Sequence, residues 1–393
     1  MKRIIYLFII ALSVSCMEAK PRLQDADALY KINLDSIEKK NVPFLESSMF
    51  KSVRTIILDD DEYAVIGHID QLQVFENYLF IMDGRKAKKL FIYNKEGKFV
   101  RQIGSQGQGP GEYTDLYDFC LDTKKREIYI LDISGKVLKY NFDDGKFIKS
   151  LNFDTSKANC FYISLINNKL YTAIVSHDAK VPGNLLLEMD IETGNKQEYL
   201  DANTYNYGWN RAVFNQFNFL FGKHNNSQRF VARFMNTIMS IDKDGVKPYI
   251  SLYHKDWVRN SDINPQKKLE ELVDQQSELF KAGRVWMEQH NYIESNNFIY
   301  FQCNRFYLVI DKNTQKATRY KSFEHDLIYS KEGLSSGSFV FYNSQAAYSI
   351  GYMPYFIEKI HENDILRPDL DKKDELLKLK DVESIVIFEY EFK

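Results

Sequence analysis

Short apolar runs alternate with polar breaks along most of the chain. YLFIMD (78–83), LFIYN (90–94), EIYILD (127–132) and VLKYN (137–141) each hold five or six residues rich in Ile, Leu, Tyr and Phe. Runs of that length and make-up, bounded by turn formers, predict strands rather than helices. Two stretches depart from the pattern. Asn264 and Pro265 form a helix start, Leu269, Leu272, Val273, Leu279 and Phe280 recur at roughly helical spacing, and Gly283 is a stop. They predict an inserted helix over about 262–283, and a weaker, more charged one is predicted over about 369–380. Both read as elements covering a rim.

The breaks repeat. An apolar strand, an Asn or Asp and a short turn recur at Asn94, Asn141, Asp190, Asp242 and Asp311, in steps of 47, 49, 52 and 69 residues. Each marker joins two strands of a hairpin, and two further strands precede it, as DQLQVF (70–75) and YLFIMD do before Asn94. Four strands in about 45 residues make a propeller blade. A sixth unit has only SFVFYN (338–343), AAYSIG (346–351) and IVIFEYEF (385–392) before the chain stops. Its fourth strand is predicted to be VRTIILDD (53–60), which closes the ring and leaves no joint. The expected fold is all-β: a six-bladed β-propeller of four-stranded blades over 51–393, closed by an N-terminal strand, with one or two inserted helices.

The N-terminus has another pattern. Lys2 and Arg3 precede IIYLFIIAL (4–12) and the small residues before Cys16. This is a signal peptide over 1–15, too short in its apolar part to be a comfortable membrane span. Cys16 after small residues resembles the lipobox of bacterial lipoproteins, although Ser13 stands where Leu is usual. The resemblance implies lipidation at Cys16, a tether over 16–50, and a cell-envelope address on the periplasmic face or the cell surface. The only membrane contact expected is then the lipid anchor. One acid, Glu18, follows in the next few residues, fewer than the acidic stretch associated with surface export.

Composition narrows the function. The chain of 393 residues is 44% hydrophobic with a net charge of −2, which argues against a nucleic-acid partner. Beyond Cys16 the cysteines are Cys120, Cys160 and Cys303, with no CxxC, so neither a disulfide framework nor a cysteine zinc site is expected. The seven histidines form no HxH or HExxH, and no GxSxG occurs, so no metal, cofactor or nucleophile motif is present.

IGSQGQGPGEY (103–113) has the look of a phosphate loop. An alternating strand follows it instead of a helix, and it holds no lysine, which removes the Rossmann and Walker readings. It is read as the crossing between blades 1 and 2, with Gly107, Gly109 and Gly111 bending the chain, Pro110 stiffening it and Glu112 accepting backbone amides. GKFVRQIGSQGQGPGEY, followed by a strand with an acid, resembles the NHL-like six-bladed β-propeller lipoproteins of Bacteroidetes, over nearly the whole chain from about residue 50. The resemblance implies a fold and an envelope location, and little chemistry.

Two places are candidate ligand sites. Glu288, His290, Tyr292 and Glu294 would share one face of an inner strand at period 2. Asp70 and Asp118 are further candidates for the channel wall. The longer crossing between blades 3 and 4 carries Tyr205, Tyr207, Trp209 and Arg211, suited to stacking on a sugar or peptide and to holding a carboxylate. The expected function is a binding or interaction scaffold for an envelope protein or a glycan or peptide ligand. The alternative is an extracytoplasmic lyase or hydrolase acting on carbohydrate or peptide at the channel, resting on His290 and its acidic neighbours.

Overall fold

A computed structural model describes residues 27–393 except 61, 179, 210–218, 225, 265–268, 289–290, 331–338, 352–364 and 380–383. Six sheets follow one another around a ring. Blade 1 is Gln71–Phe75, Tyr78–Asp83, Lys89–Asn94 and Phe99–Ile103, in order from the axis outwards. Blades 2 and 3 run over Leu116–Asn152 and Ala158–Asp201 with the same order. Blades 4 and 5 use Phe219–Tyr253 and Ile293–Glu324. The middle strands are buried on both faces because each blade packs against two neighbours, which is why they read as unbroken apolar runs. Outer strands such as Phe147–Asn152 are exposed along most of their length.

The five marker residues carry the repeat mechanically. The side-chain oxygen of Asn94 accepts from the amides of Glu96 and Lys98, and Asn141, Asp190, Asp242 and Asp311 do the same for amides two or three residues on. Each therefore folds its own turn between the third and fourth strands.

The ring closes as expected, with the closing strand three residues earlier. Blade 6 consists of Phe339–Tyr342, Ala346–Gly351, Val386–Phe392 and an N-terminal strand, Phe50–Ile57, in that order. The closing strand pairs antiparallel with the last one from Val386↔Ile57 to Phe392↔Phe50. The second inserted helix is one turn, Lys373–Leu376, and the loop before it clamps this strand: Asp371 accepts from the amide and hydroxyl of Thr55 at 2.8 and 2.7 Å. The larger inserted helix spans Leu269–Lys281, and Gly283 beyond it takes φ +79°.

The tether expected over 16–50 needs correction in its described part. Tyr30–Asn33 adds in parallel to the outer strand of blade 4, and Glu38–Leu45 to that of blade 5. The chain then passes through a buried hydrogen bond between Glu46 and His325 Nδ1, 2.9 Å, into the closing strand. Residues 30–57 thus run along the outer edges of three consecutive blades. Sequence pattern revealed neither strand: the first is only four residues long, and EKKNVPFL lies on an exposed edge, where polar residues and Pro43 at a register shift are tolerated.

The glycine crossing is a joint. Gly109 donates to Glu112 Oε2 at 2.7 Å, as read from the sequence. A side chain on Gly107 would begin 2.1 Å from that carboxylate, and Gly111 has φ +77° with Phe147 against it. The hydroxyls of Tyr140 and Tyr113 then fix the crossing, donating to the carbonyls of Gly111 and Lys88 at 2.7 and 2.9 Å.

Candidate functional site

The expected acidic face of blade 5 is divided by the fold. Glu288 accepts from Trp286 Nε1 at 3.1 Å, whereas Tyr292 and Glu294 are buried between blades 4 and 5. His290 lies outside the described residues. Glu294 accepts from Arg229 at 2.8 and 3.1 Å, from Lys312 at 2.7 Å, and from the hydroxyls of Tyr249 and Tyr292 at 2.7 and 2.9 Å. Burial opposes its ionisation, yet Arg229 and Lys312 hold the carboxyl down at about 2. Its partners are satisfied within the protein, which makes the group a fastener between blades.

The aromatic crossing is likewise internal. Ala202–Asn206 forms a short helix capped by Asp201, and Tyr207 leaves it in the left-handed conformation. The Tyr207 hydroxyl donates to the Val258 carbonyl at 3.0 Å. Trp209 is buried edge-to-face with Phe234 at 5.1 Å, in the same core as Leu279 of the larger inserted helix, and Tyr205 packs against that core. Arg211 and the lipidation candidate Cys16 lie outside the described residues. Cys120, Cys160 and Cys303 are buried thiols outside any disulfide, and burial raises the pKa of Cys160 to about 12. Among the described residues no cluster of His, Cys, Asp and Glu is arranged to hold a metal.

A pocket opens elsewhere, at the axis on the face that carries the glycine crossing. Its volume is about 290 Å³, and it is lined from blades 1, 2 and 3. Two buried aspartates build its frame. Asp83 ends the second strand of blade 1 and accepts from the amides of Gly67, His68 and Lys86 at 2.7–3.0 Å. Asp132 does the same in blade 2 for Thr114, Asp115 and Ser134 at 2.5–3.2 Å. Each ties the incoming crossing to the turn after the second strand. A signal is present in the sequence, since both close an apolar strand at the same place in the repeat (YLFIMD, EIYILD).

The turn so held presents the polar wall. Asp70 accepts from the amides of Gly84 and Arg85 at 2.9 and 3.0 Å and forms an ion pair with Arg85 Nε at 2.6 Å. Lys88 pairs with Asp115 at 2.6 Å. Gly84 is obligatory here, because a side chain would begin 2.6 Å from the Leu116 carbonyl. The aromatic wall comes from two bulges. The pairing of the first and second strands shifts register between Leu116 and Asp118 in blade 2 and between Phe161 and Ile163 in blade 3. The residues skipped are Tyr117 and Tyr162, both lining the pocket, and Tyr162 has φ +57°. A bulge turns a side chain out of the ladder.

Asp118, a channel candidate from the sequence, sits between these tyrosines. It is buried and accepts from the Ile163 amide at 2.6 Å. Burial raises its carboxyl to about 7, against the pull of the Ile163 and Phe119 amides. Unfolding returns it to an ordinary carboxylate, so the fold is most favoured where both states are protonated, and stability falls as pH rises from about 4 to about 7. The span corresponds to at most about 4 kcal/mol. Asp118→Asn removes this dependence. Its melting temperature should exceed that of the natural protein at pH 8 and approach it near pH 4; an equal offset at both values refutes the assignment.

Similarity to other proteins lies in the fold. A candidate exported protein of Bacteroides fragilis superposes with a TM-score of 0.67 at 19% identity, covering 92% of this chain and 100% of its own. A member of the DUF4221 family from Bacteroides vulgatus reaches 0.50 at 13% identity, covering 88% of this chain and 97% of its own. No curated protein sequence matches the chain. The family model described as a domain of unknown function, DUF4934, matches residues 29–385, so the chain belongs to the DUF4934 family.

Proposed function

We propose that this protein is a cell-envelope lipoprotein, anchored through Cys16, whose propeller binds a ligand without transforming it. The observation that carries the reading is the pocket between blades 1 and 3. Its charged groups are paired, its turn is locked by Asp70 and Asp83, and Tyr117 and Tyr162 stand clear of the ladder. Such preorganisation favours binding, since little ordering remains to be done when the ligand arrives. The signal sequence and the similarity to a candidate exported protein support the location. Asp118 supports a second reading, acid–base catalysis in the same pocket by a carboxyl that titrates near 7.

One experiment separates the two. Purified protein is incubated with an extract of small molecules from the growth medium, and the retained compounds are identified by mass. Binding predicts a compound recovered unchanged by the natural protein and lost from Tyr117→Ala and Arg85→Ala. A compound recovered with altered mass, and unaltered with Asp118→Asn, establishes the catalytic reading instead. Retention by all three variants removes the pocket from consideration. In cells, Cys16→Ser should release the protein from membranes; continued sedimentation with them contradicts the anchor.

A further inference from the structure

We infer that the pocket takes a neutral, hydroxyl-rich ligand, a short uncharged oligosaccharide, with a sugar ring against Tyr117 and its hydroxyls shared between the Arg85–Asp70 and Lys88–Asp115 pairs. This deepens the reading of the pocket as a binding site and rests on it.

Charge is the first argument. Two cations and two carboxylates face the pocket as two closed pairs, each at 2.6 Å. An anionic ligand brings its charge beside Asp70 and Asp115 as well as Arg85 and Lys88, and a cationic one meets the same mixture, so repulsion from one member of each pair offsets attraction to the other. Little is then left to offset the cost of desolvating the ligand's charge. A neutral ligand leaves both pairs intact. Asp118 fits this balance, since below about pH 7 it is mostly a neutral carboxyl and not a third anion.

Hydrogen-bond inventory is the second. Among the described residues Arg85 spends only Nε on Asp70, so its two terminal nitrogens remain donors. Lys88 keeps donors beyond the one used on Asp115, and Asp115 keeps its second oxygen as an acceptor. Donors and acceptors therefore share one pocket wall. A hydroxyl both donates and accepts, so a polyol matches such an array, whereas a carboxylate or an ammonium uses only half of it.

Shape is the third. Phe161 lies edge-to-face with Tyr117 at 5.3 Å and steadies that ring at the pocket wall. An aromatic face receives the apolar C–H side of a sugar while the rim receives its hydroxyls. A volume of about 290 Å³ suits one ring or two, near the lower end of ligand pockets.

Isothermal titration of the purified protein at pH 7 tests the class. The probes are cellopentaose, xylopentaose, mannopentaose and maltopentaose as neutral chains, pentagalacturonate as an anion and a chitosan pentamer as a cation. The expected result is binding of at least one neutral chain, weakened about tenfold or more by Tyr117→Ala and by Arg85→Ala and preserved in Tyr117→Phe. Affinity should change little with added salt. Preference for a charged chain, or binding of none of the six, overturns the ligand class. The pocket reading survives either result if another compound is retained and Tyr117→Ala abolishes its retention. Neutral binding indifferent to both alanine variants, each shown by circular dichroism to be folded, overturns the pocket and the class together.

Discussion

Replacing Phe50 by Ala should destabilise the protein by about 3–5 kcal/mol, a fall in melting temperature of roughly 4–6 °C for a cooperative unit of this size. Phe50 begins the closing strand, is buried, and packs its ring against Phe339, Tyr390 and Phe392 at 5.1–5.6 Å. Those three belong to the inner and third strands of blade 6, so the one side chain fastens the start of the ring to its end. Deleting residues 50–57 should go further. The strand Val386–Phe392 would lose its partner from Ile57 to Phe50, and the clamp from Asp371 to Thr55 would have nothing to hold. An open ring exposes sheet edge and core together, so cooperative melting should disappear. Thermal unfolding followed by circular dichroism decides the matter. A deletion variant that melts at the natural temperature means that the ring does not depend on this strand.

The second large effect belongs to Glu294. Glu294→Ala leaves Arg229 and Lys312 without their shared carboxylate in the blade 4–5 interface, and the hydroxyls of Tyr249 and Tyr292 lose their acceptor. Breaking one side of a buried ion pair costs about 3–5 kcal/mol. Acid should have a milder version of the same effect. The carboxyl sits at about 2 in the folded protein, below its ordinary value of 4.5. Its contribution is therefore complete above about pH 4.5 and is lost as pH falls towards 2, a span of about 3 kcal/mol. Glu294→Gln should lower stability at neutral pH and flatten the decline between pH 5 and 3. An unaltered acid limb would mean that the decline comes from other carboxylates.

How much was legible depended on how local the signal was. The markers Asn94, Asn141, Asp190, Asp242 and Asp311 fold turns out of their own neighbouring amides, so the period they set could be read without any partner strand. Doubly buried strands announce themselves as apolar runs. The closing strand was legible for a different reason, since a count of strands left one place empty and the N-terminal end held one apolar run to fill it. Glu38–Leu45 was illegible because an exposed edge strand owes its pairing to the neighbour's free backbone, and its side chains need satisfy nothing.

Candidate chemistry was harder for the same reason. Spacing put Glu288, Tyr292 and Glu294 on one face, but the inner strand of blade 5 is only Ile293–Glu294, and Arg229 from the neighbouring blade claimed the last of them. Tyr117 and Tyr162 line the pocket because bulges skip them in the pairing, and a bulge is a property of two strands in register.

By itself the sequence determined the all-β architecture, the six-fold repeat, the closure of the ring and the nature of IGSQGQGPGEY as a crossing between blades. Those rest on turn chemistry, apolar periodicity and backbone freedom, all of which act within a few residues. Tertiary structure alone decided which charges pair, which aromatics are core and where a pocket remains. It also assigned the crossing a second task, since the Tyr113 hydroxyl holds the Lys88 carbonyl and with it the turn that forms the pocket wall. Such contacts join residues distant in the chain, and their energy depends on burial and geometry that exist only once the blades have packed.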